Sequence, residues 1–393
     1  MEVERTSRIA TQARRFEMVE RKGLGHPDTI CDLVVESICV ELARQYTKEY
    51  GQLMHFNIDK ALLAAGETEN RFGGGVVKRP MRFLVGDRAT LNSLDVDGIV
   101  EASARRWFST NLRHVKDEHV RIEPMLGSAS PELRSLFARA PTQIPSNDTS
   151  VLVGYAPSTL LEQVVRATEL FINSAGFKHE FPEAGEDVKV MGFRHDESID
   201  LTVAVAFVDA YVESDVHYFA RKMEMLNAVE EFIRDRFDIK HLSVDINTLD
   251  VEGRGMEGLY LTVLGTSADS SDSGQVGRGN RADGLISLMR PAGSEGYAGK
   301  NPMSHVGKVY SALCFEIAGD VHRRLLDGER DEVLVWMYNK IGMNVGEPRA
   351  VIVEVVTGRG VDDDAIRDIV YEHVGSIDGL YRRLVEGKVR LGY

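Results

Sequence analysis

Glu20-Arg21-Lys22-Gly23-Leu24-Gly25-His26-Pro27-Asp28-Thr29-Ile30-Cys31-Asp32 places two glycines around Leu24, then a histidine, a proline and an aspartate ahead of an apolar-periodic run. Proline is at home in the first turn of a helix, where its missing N–H would have no partner anyway. Behind it Ile30, Leu33, Val34, Ile38, Leu42 and Tyr46 recur at helical spacing, which predicts a tight loop opening onto a helix from about Asp28 to Tyr50. The free N–H groups at such an end attract anions, phosphate above all. His26 at that mouth can donate to a phosphate oxygen, and Asp28 can hold a divalent cation. Taken alone, the same residues also describe a plain N-cap loop with a surface histidine.

The 393 residues suffice for more than one core, and 43% apolar with 27% charged residues describe an ordinary globular chain. A net charge of −14 argues against a nucleic-acid or anionic-membrane binder, although basic residues can still converge locally on a polyanionic substrate. Cys31, Cys39 and Cys314 lack metal-ligand spacing and read as buried thiols of a reducing compartment. No apolar run approaches the length of a membrane span, and the polar N-terminus has no secretory core. A cytoplasmic protein is expected.

Residues 1–16 are polar and read as an irregular lead-in. Strand patterns follow from His55 to Glu67 and from Val76 to Val85, around the turn Gly73-Gly74-Gly75. A helix is expected from Asp97 to Leu112 and a strand from His119 to Met125. The Ser/Pro/Asn/Thr-rich segment from Gly127 to Ser150 reads as a long functional loop. Further strands are expected at Val151–Tyr155, Gly185–Gly192, Ser198–Ala210, Leu242–Asn247, Leu259–Leu264, Glu332–Tyr338 and Ala350–Val356. Helices are expected at Thr159–Ala175, Asp215–Phe237, Asp362–Val374 and Leu380–Glu386. Gly265 to Gly299 cannot form a core by itself and is either a disordered insert or a polyphosphate cradle. It carries Asp272, Arg278, Arg281 and Arg290 and runs into Lys300, His305 and Lys308, and glycine backbone with convergent cations is what a polyphosphate requires. Strand pairs followed by helices recur about three times, which predicts an α+β fold of three similar layers.

Gly-x-Gly-His-Pro-Asp, then Asn147-Asp148-Thr149-Ser150 with Gly154-Tyr155-Ala156-Pro157, then Gly185-Glu186-Asp187-Val188-Lys189-Val190-Met191-Gly192, then Gly265-Thr266-Ser267-Ala268 through Gly277-Arg278-Gly279-Asn280-Arg281, and finally Gly299-Lys300-Asn301-Pro302 with His305-Val306-Gly307-Lys308 occur in one order. That order resembles the archaeal-type S-adenosylmethionine synthetases, from about Phe16 to Arg390. The resemblance implies three similar β-sheet/helix subdomains in a pseudo-threefold arrangement. After the lead-in, residues 17–393 would then form one unit of interleaved subdomains, roughly 17–145, 146–258 and 259–393. It also implies the activity: methionine sulfur attacks the 5′ carbon of ATP and expels triphosphate, which is hydrolysed to phosphate and diphosphate. No protein nucleophile is needed. Negative charge growing on the triphosphate must be stabilised, and sulfur and carbon must be held in line.

The resemblance assigns His26 to the leaving-group oxygen, with Lys189, Arg278 and Lys300 on the phosphates. It places Glu20, Asp187, Gly127, Ser128, His305 and Lys308 around the nucleotide, and Glu67 and Asp148 at methionine. Asp28 and Asp272 would hold Mg²⁺, and K⁺ is a further expected cofactor. A homodimer with active sites shared across a flat sheet interface is also implied. Gly127-Ser128-Ala129-Ser130-Pro131-Glu132 stands where archaeal relatives are expected to read Gly-Gln-Gly-Ser-x-Asp, while Ile58 and Ser304 replace a Thr and an Asn. These departures leave the triphosphate residues in place and keep open an alternative, a paralogue that transfers adenosyl to a different thioether.

Overall fold

The computed structural model describes residues 1–91, 93–128, 144–326, 328 and 330–393. The predicted first helix is α1 (Pro27–Tyr50), and its apolar stripe from Ile30 to Tyr46 is buried. It packs with α2 (Val96–Asn111) against a sheet of β3 (Phe56–Ala64), β6 (Met81–Ala89) and β7 (Val120–Ser128). Phe56, Ile58, Leu63, Phe83 and Val85 face these helices and are fully buried. The opposite face exposes Leu62 and Met125, and β13 (Gly274–Gln275) closes the sheet beside β3.

A second sheet runs β11 (His241–Ile246), β10 (Ser198–Val208), β9 (Ala184–His195), β2 (Phe16–Lys22), with the two-residue β14 (Ile286–Ser287) beyond β2. Here α3 (Leu160–Ile172) and α5 (Asp215–Arg236) cover a core of Val19, Val188, Val190, Leu201 and Phe207. Between them in sequence lies the short α4 (Ala175–Glu180). The third sheet contains β8 (Ser150–Ala156), β15 (Glu332–Asn339) and β16 (Ala350–Val356), packed on α6 (Val306–Val321) with α7 (Asp363–Gly375) and α8 (Ile377–Val385). The result is a mixed α+β architecture of three larger sheets with helices packed on them, beside a two-stranded ribbon of Glu67–Glu69 with Val76–Arg79. Sheet membership interleaves along the chain: β2 joins the strands of the middle segment, and β8 joins those of the C-terminal segment.

Some expectations change. The lead-in is not wholly irregular, because β1 (Glu2–Arg5) pairs in parallel with β16, Glu2 lying opposite Ile352. A short, mostly polar strand gives little pattern of its own and is created by a partner at the far end of the chain. The strand from His55 to Glu67 divides into β3 and β4 (Glu67–Glu69), since Gly66 donates to Ala268 O at 3.0 Å between them. The predicted Val76–Val85 strand is likewise two, β5 (Val76–Arg79) and β6. Leu259–Leu264 shrinks to β12 (Leu261–Thr262) because the Asp269 carboxylate takes the amides of Val263 and Leu264 at 2.7 and 2.9 Å. The segment from Gly265 to Gly299 is not a disordered insert: it carries β13 and β14 and is tied down along its length. All three cysteines are buried free thiols, and no described helix is long and apolar enough to cross a membrane.

Candidate active site

β2 ends in Lys22, and Gly23-Leu24-Gly25 turns the chain into α1. The turn lies flat on β9: Gly23 donates to Val188 O at 2.6 Å and Gly25 to Glu186 O at 2.9 Å. A side chain at Gly25 would bring Cβ within 2.4 Å of the Asp187 amide, so only glycine permits the approach. His26 is the N-cap, with Pro27 next. The Nδ1 atom of His26 accepts the Asp28 amide at 3.2 Å, so the neutral ring carries its proton on Nε2. Burial lowers the imidazole to about 4; Asp28 opposes the shift, while Lys22, Lys189 and Arg278 reinforce it. His26 is therefore a neutral donor at physiological pH.

The strand pairing sets the charge around it. Alternation along β2 buries Glu17, Val19 and Arg21 and turns Glu20 and Lys22 to the other face. Lys22 stands directly opposite Lys189 of β9, a like-charge pair that is unfavourable unless an anion lies between. Glu20 partly fills that role, its Oε1 3.9 Å from Lys22 Nζ and 3.6 Å from Lys189 Nζ. Lys22 also donates to Asp28 Oδ2 at 2.9 Å and to Arg278 O at 2.7 Å. Glu20, His26, Asp28, Lys189 and Arg278 are thus brought together at one helix N-terminus.

The acids of α1 hold the glycine-rich segment against this mouth. Asp28 Oδ1 accepts the Gln275 amide at 3.0 Å, and Asp32 accepts those of Gly277 and Gly279 at 2.7 and 3.1 Å. Burial raises the Asp32 carboxyl to about 7. Gly274 packs so closely that a Cβ would lie 2.0 Å from Pro27 O. Asp187 turns away from solvent and accepts both the amide and the hydroxyl of Ser267, at 2.8 and 2.6 Å; burial raises it to about 7. Asp272 is exposed, its amide donating to Ser267 O at 2.9 Å. Ala65 and Gly66 are tied to Ser273 and Ala268, which sets Glu67 next to the same segment, half of an ion pair with Arg79 at 3.6 Å.

Lys300, His305 and Asp148 belong to a second group. Lys300 pairs with Asp59 and, at 3.1 Å, with Glu295. Burial alone would raise Asp59, but the ammonium groups of Lys300 and Lys60 outweigh it and hold its carboxyl well below the usual range. His305 caps α6, Nδ1 accepting the Gly307 amide at 3.1 Å, and burial with Lys300 nearby lowers it to about 3. Asp148 and His305 line a cavity of about 280 Å³ together with Asp59, Asp87 and Arg88. Gly127 lies opposite Arg88, and Ser128 ends β7; the rest of the altered loop, Ala129 to Glu132, lies outside the described residues. A larger cavity of about 610 Å³ is lined by Asp32, Gln275 and Asn280 as well as by Asp59 and Lys300, and so touches both groups. Lys308 points elsewhere: fully buried, it donates to Glu36 Oε1 at 2.9 Å and to Cys39 Sγ at 3.0 Å, joining α6 to α1.

A divalent cation of the Mg²⁺ type takes oxygen donors, and carboxylates stand in both groups. In the first group Asp28 already accepts the Gln275 amide and the Lys22 ammonium, and Asp272 stands exposed on the glycine-rich segment. In the second, ligand atoms of Asp59, Glu295 and His305 lie within 4.8 Å of one another, with the Lys300 ammonium paired to both of those acids. Sequence reasoning passed over Lys22, Asp32, Asp59 and Glu295. Two of these had a signal: Lys22 is two residues from Glu20 on a strand, and Asp32 four from Asp28 on a helix. Glu295 had none.

A profile of the S-adenosylmethionine synthetase (AdoMet synthetase) family matches residues 1–388. The S-adenosylmethionine synthase of Aeropyrum pernix is 40% identical, with 95% of each chain covered. Those of Pyrobaculum islandicum and Methanocaldococcus jannaschii are each 38% identical, covering 99% and 96% of both chains. An S-adenosylmethionine synthetase structure from Campylobacter jejuni shares the fold with a TM-score of 0.63 at 17% identity, over 95% of this chain and 90% of that one. The chain belongs to the S-adenosylmethionine synthetase family.

Proposed function

We infer that the protein is a methionine adenosyltransferase that makes S-adenosylmethionine from ATP and L-methionine and hydrolyses the released triphosphate to phosphate and diphosphate. The observation that carries this reading is the neutral His26 ring beside Lys22, Lys189 and Arg278 at the α1 N-terminus. In the reaction a sulfur lone pair forms the S–C5′ bond as the C5′–O bond breaks, and the electron pair leaves on the triphosphate. His26 Nε2–H donates to that oxygen as its charge grows, and the three cations hold the phosphates. Lys300 and His305 serve the phosphate end from the second group, and Asp148 and Glu67 hold methionine. Asp187 orients the nucleotide through Ser267.

Asp28 and Asp272 offer the carboxylate oxygens Mg²⁺ prefers, and the bound ion would neutralise triphosphate charge. K⁺ is a further expected requirement. The exposed β3–β6–β7 sheet face supports a homodimer in which the His26 group of one protomer works with the Lys300 group of its partner. Nothing among the relatives favours a different thioether substrate. The test is incubation with ATP, Mg²⁺ and methionine, with mass spectrometry of the sulfonium product and assay of phosphate and diphosphate; no S-adenosylmethionine would overturn the reading. Asp28→Asn and Asp272→Asn should each raise the Mg²⁺ concentration for half-maximal activity, since an amide brings no negative charge. Unchanged Mg²⁺ titrations in both would move the metal elsewhere.

A further inference from the structure

Lys22, Asp28 and Arg278 come from a strand, a helix and a glycine-rich loop, and one buried side chain fixes them to one another. The Oδ1 atom of Asn280 accepts the Lys22 amide at 2.9 Å, and its Nδ2 donates to Lys22 O at 2.8 Å. These two bonds imitate the exchange a neighbouring strand would make, on the side of β2 where β14 reaches only Glu20 and Val19. The same Nδ2 donates to Gly392 O at 3.1 Å, and Gly392 donates in turn to Ala282 O at 3.0 Å. Lys22 closes the circuit through its ammonium on Arg278 O and Asp28 Oδ2. Only an amide can serve here, since it must accept once and donate twice from a side chain that is 4% exposed.

We propose that Asn280 is a positioning residue: it locks the Gly277–Asp283 loop to Lys22 and so sets where Lys22 and Arg278 stand for a bound triphosphate. This rests on the reading of the His26 group as the triphosphate end of the site. Asn280→Ala removes all three bonds. Asn280→Asp keeps an acceptor for the Lys22 amide but leaves Gly392 O without its donor and Lys22 O with the Thr29 hydroxyl at 3.0 Å.

Three readouts on the full chain test the role: calorimetric binding of inorganic tripolyphosphate, hydrogen exchange of the 275–284 amides, and the separate KM values for ATP and methionine. Both variants should bind tripolyphosphate about tenfold more weakly, a loss the size of one net hydrogen bond, since the cations stay present but are no longer held in place. Exchange should rise in the loop while β9 and β10 stay protected, and the KM for ATP should rise with that for methionine unchanged. Tripolyphosphate affinity within twofold of wild type in whichever variants fold, or loop exchange left unchanged, overturns the proposal. A uniform rise in exchange across the chain does the same, because Asn280 would then only stabilise the fold. If wild type binds tripolyphosphate, and the variants weaken it, but no S-adenosylmethionine is formed, the positioning role stands and the enzymatic reading falls.

Discussion

Burial keeps the His26 ring uncharged, and its single proton sits on Nε2 because Nδ1 accepts the Asp28 amide. A neutral donor adds little to ground-state attraction for ATP and acts where charge develops. His26→Ala should therefore bind ATP nearly as well as wild type and lose turnover by about 10²–10³. Turnover within twofold of wild type would remove His26 from the reaction. The same burial has a stability signature. In the unfolded chain the imidazole takes a proton near pH 6.5, and in the folded protein only near 4. Between those values the unfolded state binds the extra proton, so this residue's contribution to stability falls as pH falls. His26→Gln has no such proton to bind. From pH 6.5 to 4.5 wild type should lose about 2–3 kcal/mol relative to that variant, measured by urea denaturation at both pH values. Equal losses would mean that His26 is not held neutral.

At the scale of elements, the turn between β2 and α1 works through contact with β9, and its glycine at position 25 has no room for a methyl group. Gly25→Ala should destabilise the protein by about 1–3 kcal/mol and weaken tripolyphosphate binding together with it. A stable variant with normal binding would show that the turn can stand off the sheet. Helix α1 was legible because its period of apolar residues is strong and Pro27 marks its start. The glycine-rich segment was legible only as a composition. What orders it, Asp32 on the amides of Gly277 and Gly279 and Asn280 on Lys22, is side chain bonding to backbone far along the chain, and no local periodicity encodes that. For the same reason Lys308 stood in register with a phosphate ligand, although its ammonium lies against Glu36 and Cys39.

For the whole molecule, the shared-site reading makes a strong demand. Protein carrying His26→Ala and protein carrying Lys300→Ala should each be inactive alone. Refolded together at equal amounts, half the dimers would be hybrids with one intact site in two, which restores about a quarter of wild-type activity. No recovery would place each site within a single protomer. The three-layer α+β plan was readable from recurring strand pairs and helices, but the exchange of β2 and β8 between layers was not, because pairing partners are chosen by tertiary contact. That exchange also dictates an order of events during synthesis. β3 and β6 can pair soon after they emerge. β2 has no neighbour until β9 has been made, and β1 has none until β16 follows near the end. Translation proceeds at about 5–20 residues per second, and such distant pairings form slowly. A nascent chain therefore waits with its N-terminal strands bare, and the loop between β2 and α1 takes its shape only after β9, about 160 residues further on, has been made.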